Sequence, residues 1–210
     1  MSIEDGKQHV IQPRIANPAP LGLSAFALTT FVLSVNNSGS PNLTLPNVIT
    51  GLALFYGGIC QLLAGMWEFR TGNTFGATAF SSYAGFWLSF GVILIPGFDI
   101  TAPYSGQDLD HALGIYLAGW TIFTFILFLA TFRSNAGMVA LFFFLLITFL
   151  LLTIGKFTPA ATPVNGATKA GGIFGIITAF IAWYNALAGL LTKESSYFTV
   201  PVFDLSNKRE

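Results

Sequence analysis

Charge is what this sequence has least of: nine Lys or Arg and nine Asp or Glu in 210 residues, 9% of the chain. Soluble domains carry about a quarter. With 53% hydrophobic residues and a mean hydropathy of +0.68, the chain reads as an integral membrane protein. A formal net charge of zero offers no pull on nucleic acid. The single cysteine, Cys60, excludes a disulfide framework and a cysteine zinc site. There is no nucleotide-binding glycine loop, no metal-ligand cluster and no nucleophile paired with a base, so neither an enzyme nor a cofactor or metal is expected. No acidic residue lies inside an apolar run; Glu68 stands at the end of the second. A proton pump or sodium-coupled carrier would be expected to keep an ionisable relay in mid-membrane, and none is visible here.

What the sequence does have is apolar runs, at about 20–36, 46–67, 74–96, 111–132, 137–155 and 169–191. The first is short for a bilayer and the others are near the roughly 20 residues that span one, so the expected fold is an all-α bundle of six transmembrane helices. Residues 17–192 form the membrane domain, with tails at 1–16 and 193–210. The first tail, with Glu4, Asp5, Lys7, His9 and Arg14, does not resemble a cleaved signal peptide. An even number of spans puts both ends on one side, which collects Lys7, Arg14, Arg70, Arg133, Lys193, Lys208 and Arg209; only Lys156 and Lys169 fall on the other. The positive-inside rule therefore predicts cytosolic termini. The sequons Asn36-Asn37-Ser38 and Asn42-Leu43-Thr44 then fall in an outside loop.

The stretch Asn17-Pro18-Ala19-Pro20-Leu21-Gly22-Leu23 opens the first run. Asn17 suits an N-cap and Pro18 the first helical position. Pro20 and Gly22 predict an irregular first turn with several N–H groups left open, a place for an anion in a discontinuous first helix. A plain helix cap is the competing reading.

In the second run Gly51, Gly58 and Gly65 recur every seven residues, with Gly57 and Gln61 near the same face, which predicts one close helix contact. In the last run Gly171, Gly175, Thr178, Ala182, Asn185 and Gly189 form a small stripe, read as tight packing before pore wall. The third run has Thr74, Thr78, Ser81, Ser82, Gly85 and Ser89 on one broad side. Hydroxyls bond back to their own helix, so this stripe alone does not make a wet path. Glu68, beside Trp67 and Arg70, reads as an interface residue with an ion partner, and as the one carboxyl available for a proton-linked role.

The opening stretch resembles the signature of the acetate uptake transporter family, the acetate and succinate permeases. The similarity continues through Phe55-Tyr56-Gly57-Gly58, Gln61, Trp67-Glu68, Gly72-Asn73-Thr74-Phe75-Gly76, Ser82-Tyr83 and Gly85-Phe86-Trp87, and covers about residues 16 to 192. The resemblance implies a six-helix bundle assembled as a homohexamer in the plasma membrane, with a separate path through each protomer for small carboxylate anions. Acetate is the expected cargo, with succinate in some members, moving with protons. The family's constriction of phenylalanine, tyrosine and leucine falls on Phe26, Tyr83 and Leu145. Substrate-binding positions fall on Asn17, Ala19, Leu21, Gly22, Thr30, Gln61 and Ala182. The register of Phe142-Phe143-Phe144-Leu145-Leu146 can slip by one, and a fully apolar fifth run reads naturally as lipid-facing. Two rivals stand beside acetate transport: a path for ammonia or ammonium, recruited by Asp99, Asp108 and Asp110, and a membrane scaffold or sensor that does not transport.

Overall fold

The computed structural model describes residues 15–39, 47–159 and 164–206. The amino-terminal tail up to residue 14, the second sequon, and Lys208 and Arg209 lie outside the described residues. Six long helices follow one another: α1 (Ala19–Asn37), α2 (Ile49–Thr71), α3 (Thr74–Ile93), α4 (Asp108–Ala130), α5 (Ala136–Phe157) and α6 (Gly166–Leu190). Five of them are long and apolar enough to cross a membrane by length and composition. The other, α3, is of spanning length and carries the hydroxyls of Thr74, Thr78, Ser81, Ser82 and Ser89.

Asparagines set where several helices begin. Asn73, Asn135 and Asn165 cap α3, α5 and α6, their side chains accepting from the N–H groups of Gly76, Met138 and Thr168 at 3.0, 2.9 and 2.8 Å. Each satisfies a donor that the first helical turn leaves open. Between α2 and α3, Gly72 takes a φ of 80°, a left-handed conformation that glycine adopts at no steric cost. The chain therefore reverses within two residues, which is the physical content of the Gly72-Asn73-Thr74-Phe75-Gly76 motif.

The break expected in the first helix lies in the second. Helix α1 runs unbroken from Ala19, with Pro18 rather than Asn17 at the N-cap position and Pro20 in its first turn, where a missing N–H costs nothing. In α2, residues Leu52–Cys60 form a π-helical segment whose wider turns insert extra chain between Gly51 and the later glycines. The seven-residue repeat is broken as a consequence. Gly57 packs beneath Trp87, Gly58 against Leu88 and Gly65 against Ser81, whereas nothing lies within 4 Å of where a Gly51 Cβ would stand.

The small stripe of α6 packs as expected. Gly172 and Gly175 meet α1 at Asn37, Ser38 and Ser34, Gly171 meets Leu152 of α5, and Gly189 meets Pro20, which brings the start of α1 and the end of α6 to one end of the bundle. Thr148 and Thr178 face each other at 3.5 Å between α5 and α6. Helix α5 is not simply lipid-facing, since Leu141, Phe142, Leu145, Thr148 and Phe149 are buried along one side. On α3 the positions Thr74, Thr78, Gly85 and Ser89 form an outer face, away from the buried Ala79, Tyr83 and Phe86. Helices α3 and α4 meet through side chains rather than close backbones: Tyr83 on Thr124, and Tyr116 on Ser89 and the Phe86 carbonyl.

Part of the expected carboxy-terminal tail is docked. Ala136 N–H donates to Phe203 O at 2.9 Å, Leu205 N–H to Ser134 O at 3.0 Å, and the Tyr184 hydroxyl to Pro201 O at 2.6 Å. The strap thus satisfies an open donor at the start of α5.

Candidate functional site

The bundle is hollow at the end remote from its termini. A cavity of about 900 Å³ lies among the last turns of α1, α3 and α5 and the first turns of α4 and α6. Its rim carries Asn36, Asn37, Gln107, His111, Asn165 and Lys169, together with Asp110, whose carboxylate pairs with Lys156 at 2.7 Å. Leu33, Phe86, Leu117 and Leu152 line its apolar part.

Deeper in the bundle is a second, much smaller cavity of about 20 Å³, walled by Leu23, Phe26, Gln61, Ala79, Phe80, Tyr83, Leu141, Phe142 and Leu145. That is room for about one water. Phe26 and Leu33 are both on α1, seven residues apart, so the two cavities are separated by about 10 Å along the helix. Phe26, Tyr83 and Leu145 come together here from three helices. Their fractional exposures are 5%, 2% and 2%. The rings of Phe26 and Tyr83 are 5.8 Å apart, and Tyr83 also meets Phe123, Phe142 and Phe149 at 5.8, 6.3 and 6.4 Å. Leu145, not a neighbour one position along, points into the small cavity.

Gln61 is the exception in this apolar setting. It is fully buried, and neither its side-chain oxygen nor its nitrogen has a hydrogen-bond partner. Such an amide is costly to leave unpaired and marks a place where a polar guest belongs. One helical turn from Phe26 on the same face of α1, the buried Thr30 hydroxyl is likewise unpartnered. Two turns from Gln61 on α2, Glu68 is 2% exposed. It makes no ion pair with Arg70: one carboxylate oxygen accepts from Asn73 at 2.8 Å and Thr71 at 3.2 Å, and the other is unpartnered. Among the described residues the ion pair formed is Lys156 with Asp110, at the opposite end.

The remaining expected positions are not gathered at the small cavity. Asn17 is exposed and its side-chain oxygen accepts from the Ala19 N–H at 3.0 Å, while Gly22 N–H donates to Pro18 O at 3.2 Å. Prolines at 18 and 20 remove donors outright. The helix opening therefore offers the Leu21 N–H, not the several open groups expected. Gly22 is a contact point, since a Cβ there would stand 2.8 Å from the Phe80 ring. Ala182 is fully buried on the α6 packing stripe. Sequence reasoning missed Leu23, Ala79, Phe80, Leu141 and Phe142 as cavity walls, and Thr124 as the partner of Tyr83. Aromatic and aliphatic residues in an apolar span give no local sign of which side they face.

A bundle of membrane-spanning helices with a wide mouth, a narrow apolar waist and unpartnered amide at the waist is the architecture of a membrane transport protein. The chain matches the GPR1/FUN34/yaaH family over residues 2–207 and belongs to it. It is 55% identical over 194 residues to a Saccharomyces cerevisiae protein named Ammonia transport outward protein 2, covering 91% of this chain and 67% of that one. It is 51% identical over 197 residues to Acetate permease A of Emericella nidulans, covering 90% of this chain and 66% of the relative. It is 36% identical over 190 residues to the Succinate-acetate/proton symporter SatP of Escherichia coli, covering 90% and 96%. The chain thus spans about two thirds of the length of these fungal relatives. Its fold is similar to the solved bacterial acetate channel SatP, with a TM-score of 0.78 and 35% identity over 90% of this chain and 99% of that one. Family and structural neighbour alike are transport proteins, not enzymes.

Proposed function

We propose that this protein conducts small monocarboxylates, acetate foremost, through a path that runs from the wide cavity past Thr30 and Gln61 to the terminal end of the bundle. The observation that carries the reading is Gln61, a fully buried amide with no partner in an otherwise apolar waist. A carboxylate accepts from its nitrogen, a protonated acid donates to its oxygen, and the methyl group suits the walls of Phe26, Tyr83 and Leu145. Relatives whose names include acetate permease and acetate channel support the same cargo. In this reading the path serves the plasma membrane, the termini are cytosolic, and the assembly is a homohexamer with one path per protomer. Succinate is a secondary cargo.

Protons travel on the acid itself. Glu68 is the one buried carboxyl near the path among the described residues, and it is held by Asn73 and Thr71 rather than poised in a relay. Ammonia or ammonium transport is the second reading, favoured by the name of the 55% identical yeast relative. Labelled acetate uptake into proteoliposomes, with competing short acids in one arm and ammonium in another, tests both. Competition by short acids supports the carboxylate path; absence of acetate uptake with ammonium-driven pH change would replace it with the second reading.

A further inference from the structure

Tyr83 does not face the waist with its hydroxyl. That hydroxyl lies 2.9 Å from Thr124 Oγ1, and both residues are buried, with exposures of 2% and 0%. Thr124 has one hydroxyl proton and spends it on its own helix, donating to the Trp120 carbonyl at 2.7 Å. Tyr83 must then be the donor and Thr124 the acceptor. The phenol proton is committed to α4, and the waist meets the tyrosine as an aromatic ring.

We propose that Thr124 is a positioning residue for the waist: by accepting the Tyr83 hydroxyl, it draws the ring towards α4 and keeps the surface opposite Phe26 and Leu145 apolar. The proposal rests on the reading of Phe26, Tyr83 and Leu145 as the constriction. Close backbone packing does not supply this hold, because α3 and α4 meet through side chains. Nor do the rings around Tyr83 fix where its hydroxyl points, since Phe26, Phe123, Phe142 and Phe149 offer it no strong acceptor. Without Thr124 Oγ1 the phenol is a buried donor in search of a partner. Gln61, a neighbour around the same cavity, carries a buried side-chain oxygen without a partner, and that oxygen is the acceptor the phenol would turn to. The turn would occupy the amide and replace a ring face with a hydroxyl where the cargo passes.

Thr124→Val keeps the shape and removes the acceptor. Acetate uptake and competition by propionate and lactate are measured for the parent, Thr124→Val, Thr124→Ser, Tyr83→Phe and the Thr124→Val/Tyr83→Phe pair. Thr124→Val should weaken acetate against lactate on the order of tenfold, the scale of one pocket contact. Thr124→Ser, which keeps the acceptor, should return the parent's order. In the Tyr83→Phe background the valine change should alter nothing further, because the hydroxyl it acts through is gone. An unaltered order in folded Thr124→Val, failure of serine to restore it, or an equal effect in the Tyr83→Phe background would overturn the proposal. If valine does not yield folded protein, Thr124→Cys, a weaker acceptor, should fall between serine and the parent on one side and valine's expected change on the other; a parent-like cysteine variant counts against the idea. A parent that moves no acetate overturns the cargo reading instead. The Tyr83 hydrogen bond then remains testable by resonance Raman difference spectra of parent and Thr124→Val, each against its Tyr83→Phe counterpart.

Discussion

The Asn73 side chain serves two helices at once: its nitrogen donates to Glu68 of α2 at 2.8 Å, and its oxygen caps α3 by accepting from Gly76 N–H at 3.0 Å. The tight turn at Gly72 and the buried carboxylate are therefore parts of one small device. A Cβ at Gly76 would stand 2.9 Å from the Glu68 carboxyl carbon, so the space around this group is already filled.

Asn73→Ala removes the cap and one partner of a buried carboxylate together. Unfolding in detergent should show a loss of about 2–3 kcal/mol, with Asn73→Asp, which keeps the cap but sets two carboxylates side by side, no better. A loss within a few tenths of a kcal/mol would show that the turn does not depend on this side chain.

Uptake should rise as the medium is acidified towards the pKa of the cargo, which for a simple carboxylic acid is about 4.3 by comparison with Glu. The neutral form carries the proton, and its share grows as pH falls. Glu68→Gln and His111→Ala variants should keep this response. Loss of it in either, with protein amount unchanged, would reveal a protein-borne relay.

Phe26→Ala and Leu145→Ala each open the wall of the small cavity, at a cost of about 2–5 kcal/mol in stability. Folded variants should admit lactate or larger monocarboxylates and leak more. A competition series of graded acids that returns the parent's ranking would place the constriction elsewhere. Ala182→Leu should act differently, lowering the yield of folded protein, because this fully buried stripe position has no room for three more carbons.

Asn17→Ala removes the acceptor of the Ala19 N–H without touching the small cavity. Acetate uptake should weaken while the size ranking stays as it was, because the turn that presents the Leu21 N–H loses the tie between Asn17 and Ala19. Unchanged uptake at normal surface amount would reduce Asn17 to a plain cap.

The six long helices were legible because apolar runs of that length have few other solutions, and their bounds moved by a few residues at each end; α3, with its five Ser and Thr hydroxyls, is the one that falls short of the apolarity of a spanning helix. The α6 stripe was legible for a similar reason, since Gly171, Gly175 and Ala182 have no other common purpose on one face. Tyr83, by contrast, was reached through family resemblance; its place 100° round the helix from Ser82 gave no sign of Thr124. Glu68 was misjudged because Arg70 is closer in sequence than Asn73, yet the turn at Gly72 folds Asn73 back towards it. The prolines at 18 and 20 suggested a broken helix, although Pro18 stands just before the helix and Pro20 in its first turn, where proline fits the regular one.

The π-helical segment Leu52–Cys60 has a consequence for how α2 tolerates a change of length as well as for its shape. A helix that wraps surplus chain into wider turns holds slack that a change of length can take up. Gly57 and Gly58, inside the segment, are pinned beneath Trp87 and Leu88, while a Cβ at Gly51 before it would meet nothing within 4 Å. The surplus is thus confined between a loose side and a fixed one. A one-residue deletion near Gly51 would relax part of the segment towards ordinary α-helix and leave Gln61 at its station. The same deletion between Gly58 and Gln61 would rotate the amide by about 100° and carry it out of the waist.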